Sequence, residues 1–256
     1  MRTALVGGGA AGIGRAAAEE LARAGHRVVI TGRRADALDS AASGLRLRTG
    51  AAVHPLVSDM SDPGAAERAV RETEDRFGSL DVLVLNAGGP PPGRVLEVTD
   101  QQWQEAFDLL LRGPLRLAQI ALPHMAARGF GRVVFVTSTA VRQPQPDLAT
   151  SVVLRSAVTA AAKLLAREFA AKGVTVNCVA PGATATERRR EILENRARST
   201  GSAFAALDAE DTAAIPAART AQPEEIGAAV AFLASPAASY VNGTVLTVDG
   251  GRTETI

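Results

Sequence analysis

Three glycines, Gly8, Gly12 and Gly14, stand in the spacing GxxxGxG within Val6-Gly-Gly-Gly-Ala-Ala-Gly-Ile-Gly14. Without Cβ atoms such a turn bends sharply, and a ligand phosphate can lie against backbone N–H groups at a helix N-terminus. An apolar run over 3–7 precedes the turn and a helical pattern over 13–24 follows it. That is the context a dinucleotide-binding turn requires. A second signal ends the next apolar run, where Thr31-Gly32-Arg33-Arg34 stands. A carboxylate there would hold the ribose 2′-hydroxyl of NAD and repel a 2′-phosphate. The guanidinium of Arg33 suits the phosphate instead, which predicts NADP in preference to NAD. Asp36 is nearby but one helical turn too far along to compete.

Other reactive side chains are few. The chain has 28 basic residues, of which only Lys163 and Lys172 are lysines, with one Tyr, one Cys and three His. His26, His54 and His124 read as structural, and Cys178 reads as a small hydrophobe in a buried strand. One cysteine excludes a disulfide framework and a multi-cysteine metal site, and no metal is expected. A net charge of +1 with interspersed signs argues against a nucleic-acid footprint. The apolar run before the first glycines is too short for a signal peptide, and no stretch approaches the roughly 20 apolar residues of a membrane span. A cytoplasmic protein acting on a small molecule is the expectation.

The elements that must position these residues alternate along the chain. Short β-branched runs lie at 3–7, 27–31, 52–57, 81–85, 132–137, 174–179 and 244–248. Helical patterns lie between them at 13–24, 35–42, 63–77, 100–127, 148–172 and 224–233. Strands apolar on both faces and separated by helices predict a parallel sheet covered on both sides, the doubly wound α/β class. Its ligand crevice lies at the carboxyl ends of the strands. The length of 256 residues fits one domain. Residues 187–220, charged and partly helical, sit between the last two strands, as either a substrate lid over the crevice or a solvated excursion.

These pieces together resemble the short-chain dehydrogenase/reductase family nearly end to end. Besides the glycine turn, the resemblance rests on Asp59, on Asn86-Ala87-Gly88, on Ser138 and on Pro181-Gly182 with Thr186. Pro223-Glu224-Glu225-Ile226 and Val248-Asp249-Gly250-Gly251 complete it. It implies a single Rossmann-type domain with a seven-stranded parallel sheet. It implies further that Gly8, Ala11, Gly12, Ile13 and Gly14 cradle the cofactor and that Asp59 and Met60 meet its adenine. Asn86, Ala87 and Gly88 would line the ribose, and Thr184 and Thr186 would hold the nicotinamide carboxamide. Gly7, Ala10 and Ala11 depart from the hydroxyl residues usual in the turn, which predicts weaker binding through the remaining backbone N–H groups.

The family's chemistry rests on a Tyr and a Lys four residues apart on one helix, a preceding Ser, and an Asn on the previous long helix. The Ser is Ser138. Thirteen residues on stands Ser151, and four further Arg155, while Leu110 takes the Asn position. A serine hydroxyl is shorter and far less acidic than a phenol, and a guanidinium stays charged near neutrality. The pair keeps the spacing and the positive charge but lacks the acid; Arg155 would hold the ribose or an oxyanion. Tyr240, Lys163 and Lys172 lie elsewhere. A water ordered by Ser138, Ser151 and Arg155, or the substrate's own hydroxyl, would supply the proton. Arg142 and Gln143 are expected to border the substrate.

Three functions follow. The first is an NADP-dependent carbonyl reductase or alcohol dehydrogenase with Ser138, Ser151 and Arg155 as its catalytic set. The others are a non-redox enzyme (isomerase, dehydratase or cyclase) and a catalytically silent cofactor-binding protein. The resemblance also implies a homodimer or homotetramer built through 100–127 and 148–172, with Ala157, Ala160 and Ala161 available for close packing.

Overall fold

The computed structural model describes residues 1–255. Seven strands form one parallel sheet: β1 (Thr3–Val6), β2 (Arg27–Gly32), β3 (Val53–Val57), β4 (Val82–Leu85), β5 (Gly131–Val136), β6 (Val174–Pro181) and β7 (Val245–Val248). Their order is β3-β2-β1-β4-β5-β6-β7, so the chain switches direction across the sheet between β1 and β4. That switch point is where a doubly wound sheet opens its crevice.

The two-sided apolar runs make this sheet. In β1, Ala4 and Val6 join one buried cluster, and Leu5 joins the other. In β4, Val82 and Val84 face the first cluster, and Leu83 and Leu85 the second. Helices α1 (Gly12–Arg23), α2 (Ala35–Thr49) and α9 (Pro223–Ala234) cover the first face. Helices α3 (Ala65–Phe77), α5 (Gly113–Ala127) and α6 (Ala149–Phe169) cover the second. Pro55 is tolerated in β3 because that strand is an edge.

Three expectations need correction. Helix α2 runs on past residue 42 to Thr49, because buried Leu45 continues the period of Leu38, Ala41 and Ala42 through Gly44. It stops at Gly50, whose φ of 69° only glycine takes readily. The span 100–127 is not one helix: α4 (Asp100–Phe107) passes into a π-helical turn, Asp108–Arg112, before α5 begins. Finally, one stretch, Ala149–Lys172, is long and apolar enough by length and composition to cross a membrane, with mean hydropathy 1.3. It instead packs on the sheet through Val158, Ala162, Ala166 and Phe169. Residues 187–213 form α7 (Glu187–Thr200) and α8 (Phe204–Ala213).

Candidate active site

The glycine turn lies between β1 and α1 and is held by its neighbours. Gly8 has φ +60° and Gly12 φ +52°. A Cβ on Gly14 would strike the Gly8 carbonyl, and one on Gly8 would lie 2.7 Å from Asn86 Nδ2. Asn86 Nδ2 donates to the Gly7 carbonyl at 3.1 Å, so the residue after β4 locks the turn after β1. Open backbone at a helix N-terminus, with no room for side chains inside the turn, is the form a pyrophosphate needs.

Beside it lies a crevice of about 880 Å³. It brings together Gly8, Ala11, Arg33, Asp59, Met60, Asn86, Ala87 and Gly88 from four different strand ends. Arg34, which the sequence pattern does not single out, lines it as well. Both guanidiniums are exposed, and Asp36 sits in the first turn of α2. Ser61 N and Oγ both donate to Asp59 Oδ1, at 2.9 and 2.7 Å, which fixes that carboxylate at the rim. These residues fit a nicotinamide dinucleotide with a 2′-phosphate: a side-chain-free turn for the diphosphate and two cations at the second strand's end.

Gly12, Ile13, Gly14, Thr184 and Thr186 lie beside this crevice rather than in its lining. A Cβ on Gly12 would lie 3.4 Å from Thr186 Cγ2, so the glycine turn and the end of β6 face each other. The Thr186 hydroxyl caps α7, accepting from Arg189 N at 3.3 Å and donating to the Thr184 carbonyl at 3.3 Å. Thr184, 4% exposed, donates to the Gly182 carbonyl at 3.1 Å. Both hydroxyls are thus engaged with their own segment.

Ser138, Ser151 and Arg155 also lie outside that lining; Ser151 and Arg155 are bonded to each other, Arg155 is bonded to the end of β5, and no hydrogen bond joins Ser138 to either. Arg155 Nη1 donates to the Val136 carbonyl at 2.7 Å, two residues before Ser138. Its Nε donates to Ser151 Oγ at 3.2 Å, one helical turn back along α6. Ser138 Oγ accepts from Ala140 N at 3.1 Å. Burial, then repulsion from the Arg188 guanidinium, pulls Arg155 down to about 10, which leaves it cationic at neutral pH. Leu110, in the π turn, is buried with Ala106 and Leu154, and Ala87 packs against them. The corner is therefore apolar where the resemblance placed an Asn.

Arg188 is the residue sequence reasoning missed. It projects from the first turn of α7, donates to the Pro90 carbonyl and lies against Gly89, both in the crevice wall. Burial lowers its pKa, while Glu191 opposes the shift. Nothing local marks it among Arg188-Arg189-Arg190; only the fold reveals that Arg188 turns toward Gly89 and Pro90 while Arg189 turns toward α8.

Other candidates lie apart. Tyr240 is fully exposed, and Lys163 donates to the Gly243 carbonyl at 2.9 Å. Cys178 is buried, its thiol pushed up to about 12 by burial, which makes it inert. Contrary to expectation, Gln143 accepts from Glu254 N at 3.1 Å, and Arg142 lines a separate cavity of about 380 Å³ with Lys163 and Cys178.

A family profile described as Enoyl-(Acyl carrier protein) reductase matches residues 8–253. The 3-oxoacyl-[acyl-carrier-protein] reductase FabG of Vibrio cholerae is 32% identical over 250 residues, covering 98% of this chain and 96% of that protein. The chain belongs to the short-chain dehydrogenase/reductase family. Solved structures of this family superpose over the whole length. A single-residue variant of actinorhodin polyketide ketoreductase, with NADPH, gives a TM-score of 0.95 at 31% identity, covering 99% of this chain and 98% of that one. The L-sorbose reductase of Gluconobacter frateurii, complexed with NADPH and L-sorbose, gives 0.93 at 30%, covering 100% and 97%. A short-chain oxidoreductase is thus what the fold and its relatives make of this chain, with one seven-stranded Rossmann-type domain.

Proposed function

We propose that this short-chain oxidoreductase is an NADP-dependent carbonyl reductase or alcohol dehydrogenase in which Ser138, Ser151 and Arg155 do the work of the family's Ser, Tyr and Lys. The observation that carries the reading is Arg155 itself. It is a partly buried cation bonded both to Ser151 Oγ and to the last carbonyl of β5, two residues before Ser138. NADP is the cofactor: Arg33 and Arg34 line the crevice, and both structural relatives named above are NADPH complexes. The backbone of Gly8, Ala11, Gly12, Ile13 and Gly14 receives the pyrophosphate, Asp59 and Met60 the adenine, and Asn86, Ala87 and Gly88 the ribose. Thr184 and Thr186 position the carboxamide.

When bound, the cofactor supplies a hydride to a carbonyl carbon, or accepts one from an alcohol in reverse. The chain's own residues handle the oxygen. Ser138 Oγ donates a hydrogen bond to it, and the Arg155 cation stabilises the developing oxyanion. Neither Ser151 nor Arg155 is an acid near neutrality, so Ser138, Ser151 and Arg155 hold a water that delivers the proton.

Residues 187–220 act as a substrate lid. Arg188 reaches Pro90, and Arg196 clasps Asp147 at 2.6 Å and Gln145 at 2.9 Å, so α7 bridges the loops after β4 and β5. The working unit is a cytoplasmic homodimer or homotetramer. Val153 and Leu164 on α6 are exposed, and Ala157, Ala160 and Ala161 are left out of the chain's own core.

Fluorescence titration with NADPH and NADH tests the cofactor reading. NADPH should bind more tightly, and Arg33→Ala with Arg34→Ala should weaken NADPH about tenfold or more while sparing NADH. Equal affinity for both in the unaltered protein would contradict it.

A further inference from the structure

A second cavity, of about 380 Å³, lies between α6 and the strands β6 and β7 and shares no lining residue with the dinucleotide crevice. Val141, Ala162, Val176 and Val245 give it an apolar wall, and the buried Cys178 thiol on it stays protonated and neutral. Two cations, Arg142 and Lys163, line the same cavity, and no acidic residue does. Lys163 Nζ donates to the Gly243 carbonyl at 2.9 Å, which leaves two of its three N–H donors. Gly243 has φ +68°, and a Cβ there would lie 2.9 Å from Nζ, so the bare glycine gives the ammonium its seat. Arg142 is exposed, and its guanidinium has no hydrogen-bond or ion-pair partner among the described residues. The Ser156 and Thr159 hydroxyls donate to the Val152 and Arg155 carbonyls of their own helix, at 2.8 and 2.7 Å. The two cations are therefore the strongest donors the cavity offers, and no carboxylate on its wall answers them.

We propose that this cavity binds a short aliphatic monocarboxylate, its head on Lys163 and Arg142 and its tail on Val141, Val176 and Val245. The guanidinium fork matches the two carboxylate oxygens, and the ammonium adds a second, fixed charge. The apolar wall selects a ligand with a hydrocarbon tail, because burying that tail is what adds to the attraction of the head. Inorganic phosphate has the charge but no tail, and a neutral ester has the tail but no charge. The site adjoins the proposed catalytic residues without including them. Val141 and Arg142 belong to the turn that follows Ser138, and Thr159 bonds the Arg155 carbonyl. On α6, Ser156, Thr159 and Lys163 lie about a quarter of a turn round from Val153, Ala157 and Leu164. The cavity thus flanks the stripe offered to a second copy, with Ala160 at the boundary.

Calorimetric titration of the full chain with hexanoate, in the absence and presence of NADPH, tests this. Hexanoate should bind saturably at one site per chain, with the same affinity whether or not NADPH is present. Methyl hexanoate, acetate and inorganic phosphate should each bind about tenfold or more weaker. Lys163→Gln and Arg142→Gln, both at exposed positions that leave the core untouched, should each weaken hexanoate about tenfold. Ala160→Phe should fill the cavity and abolish binding, and none of the three variants should alter NADPH affinity. Hexanoate that binds no tighter than its ester, or that keeps its affinity in both charge variants, overturns the proposal. So does displacement of hexanoate by NADPH, which would place the acid in the dinucleotide crevice.

Discussion

At the residue scale the proposed chemistry turns on Ser151 and Arg155 standing where the family's phenol and ammonium would be. An ammonium can lose its proton when buried; a guanidinium holds it, and even here Arg155 falls only to about 10. Its role is therefore a fixed charge. Arg155→Ala should lower kcat by about two to three orders of magnitude, the loss typical of removing an oxyanion-stabilising donor. Because its pKa is depressed, the cation is fully present below about 10 and is lost as pH rises through that value. The rate of the unaltered protein should therefore fall on the alkaline side near pH 10, and the variant's profile should lack that limb. A pH-rate series on both proteins checks this; the same alkaline limb in each would assign it elsewhere. The positions of Ser138, Ser151 and Arg155 are legible in the sequence because they sit at fixed spacings. Their bonds are not. Arg155 reaches Val136 across 19 positions, and Arg188 reaches Pro90 across 98, distances that no local pattern encodes.

At the element scale, most of the helices and all seven strands follow from periodicity, and the departures have local causes. The helical pattern over 35–42 is followed by Gly44, yet Leu45 one residue on is buried and pulls α2 along to Thr49. The π turn at Asp108–Arg112 leaves no mark in the apolar pattern, because one extra residue in a turn shifts the phase without breaking it. Helices α7 and α8, proposed as a lid, are held by charges on both sides. Burial raises the Asp147 carboxyl, but its hydrogen bond and ion pair with Arg196 outweigh this and hold it below the usual range. Asp211 in α8 is also lowered: burial opposes the shift, and Arg252 and Arg189 override it. Carboxyls with depressed pKa values stabilise the clasp above their ordinary range, near about 4, and lose that contribution as pH falls through the lowered values. Amide hydrogen exchange across 187–213 should thus accelerate, relative to the sheet, as pH drops below about 4, once the intrinsic pH dependence of exchange is removed. Exchange that rises equally in the strands and in 187–213 would show that these helices have no separate clasp.

At the scale of the whole molecule, the seven-stranded sheet was readable because strands apolar on both faces leave few alternatives. The crevice was readable in its adenine half, where Gly8, Arg33, Asp59 and Asn86 converge at neighbouring strand ends. Arg188 of α7 reaches its wall at Gly89 and Pro90, but eight of the fourteen residues of that helix are charged, and which of them turns that way becomes visible only in the fold. On the proposed function the molecule divides into a conventional cofactor half and a reassigned oxygen-handling half. Deuterated NADPH tests both at once. With a carbonyl substrate, the alcohol product should carry the deuterium at the former carbonyl carbon, and Arg155→Ala should slow its appearance about a hundredfold or more. Product that forms without deuterium, or no transfer from tightly bound NADPH to any carbonyl compound, would contradict the account.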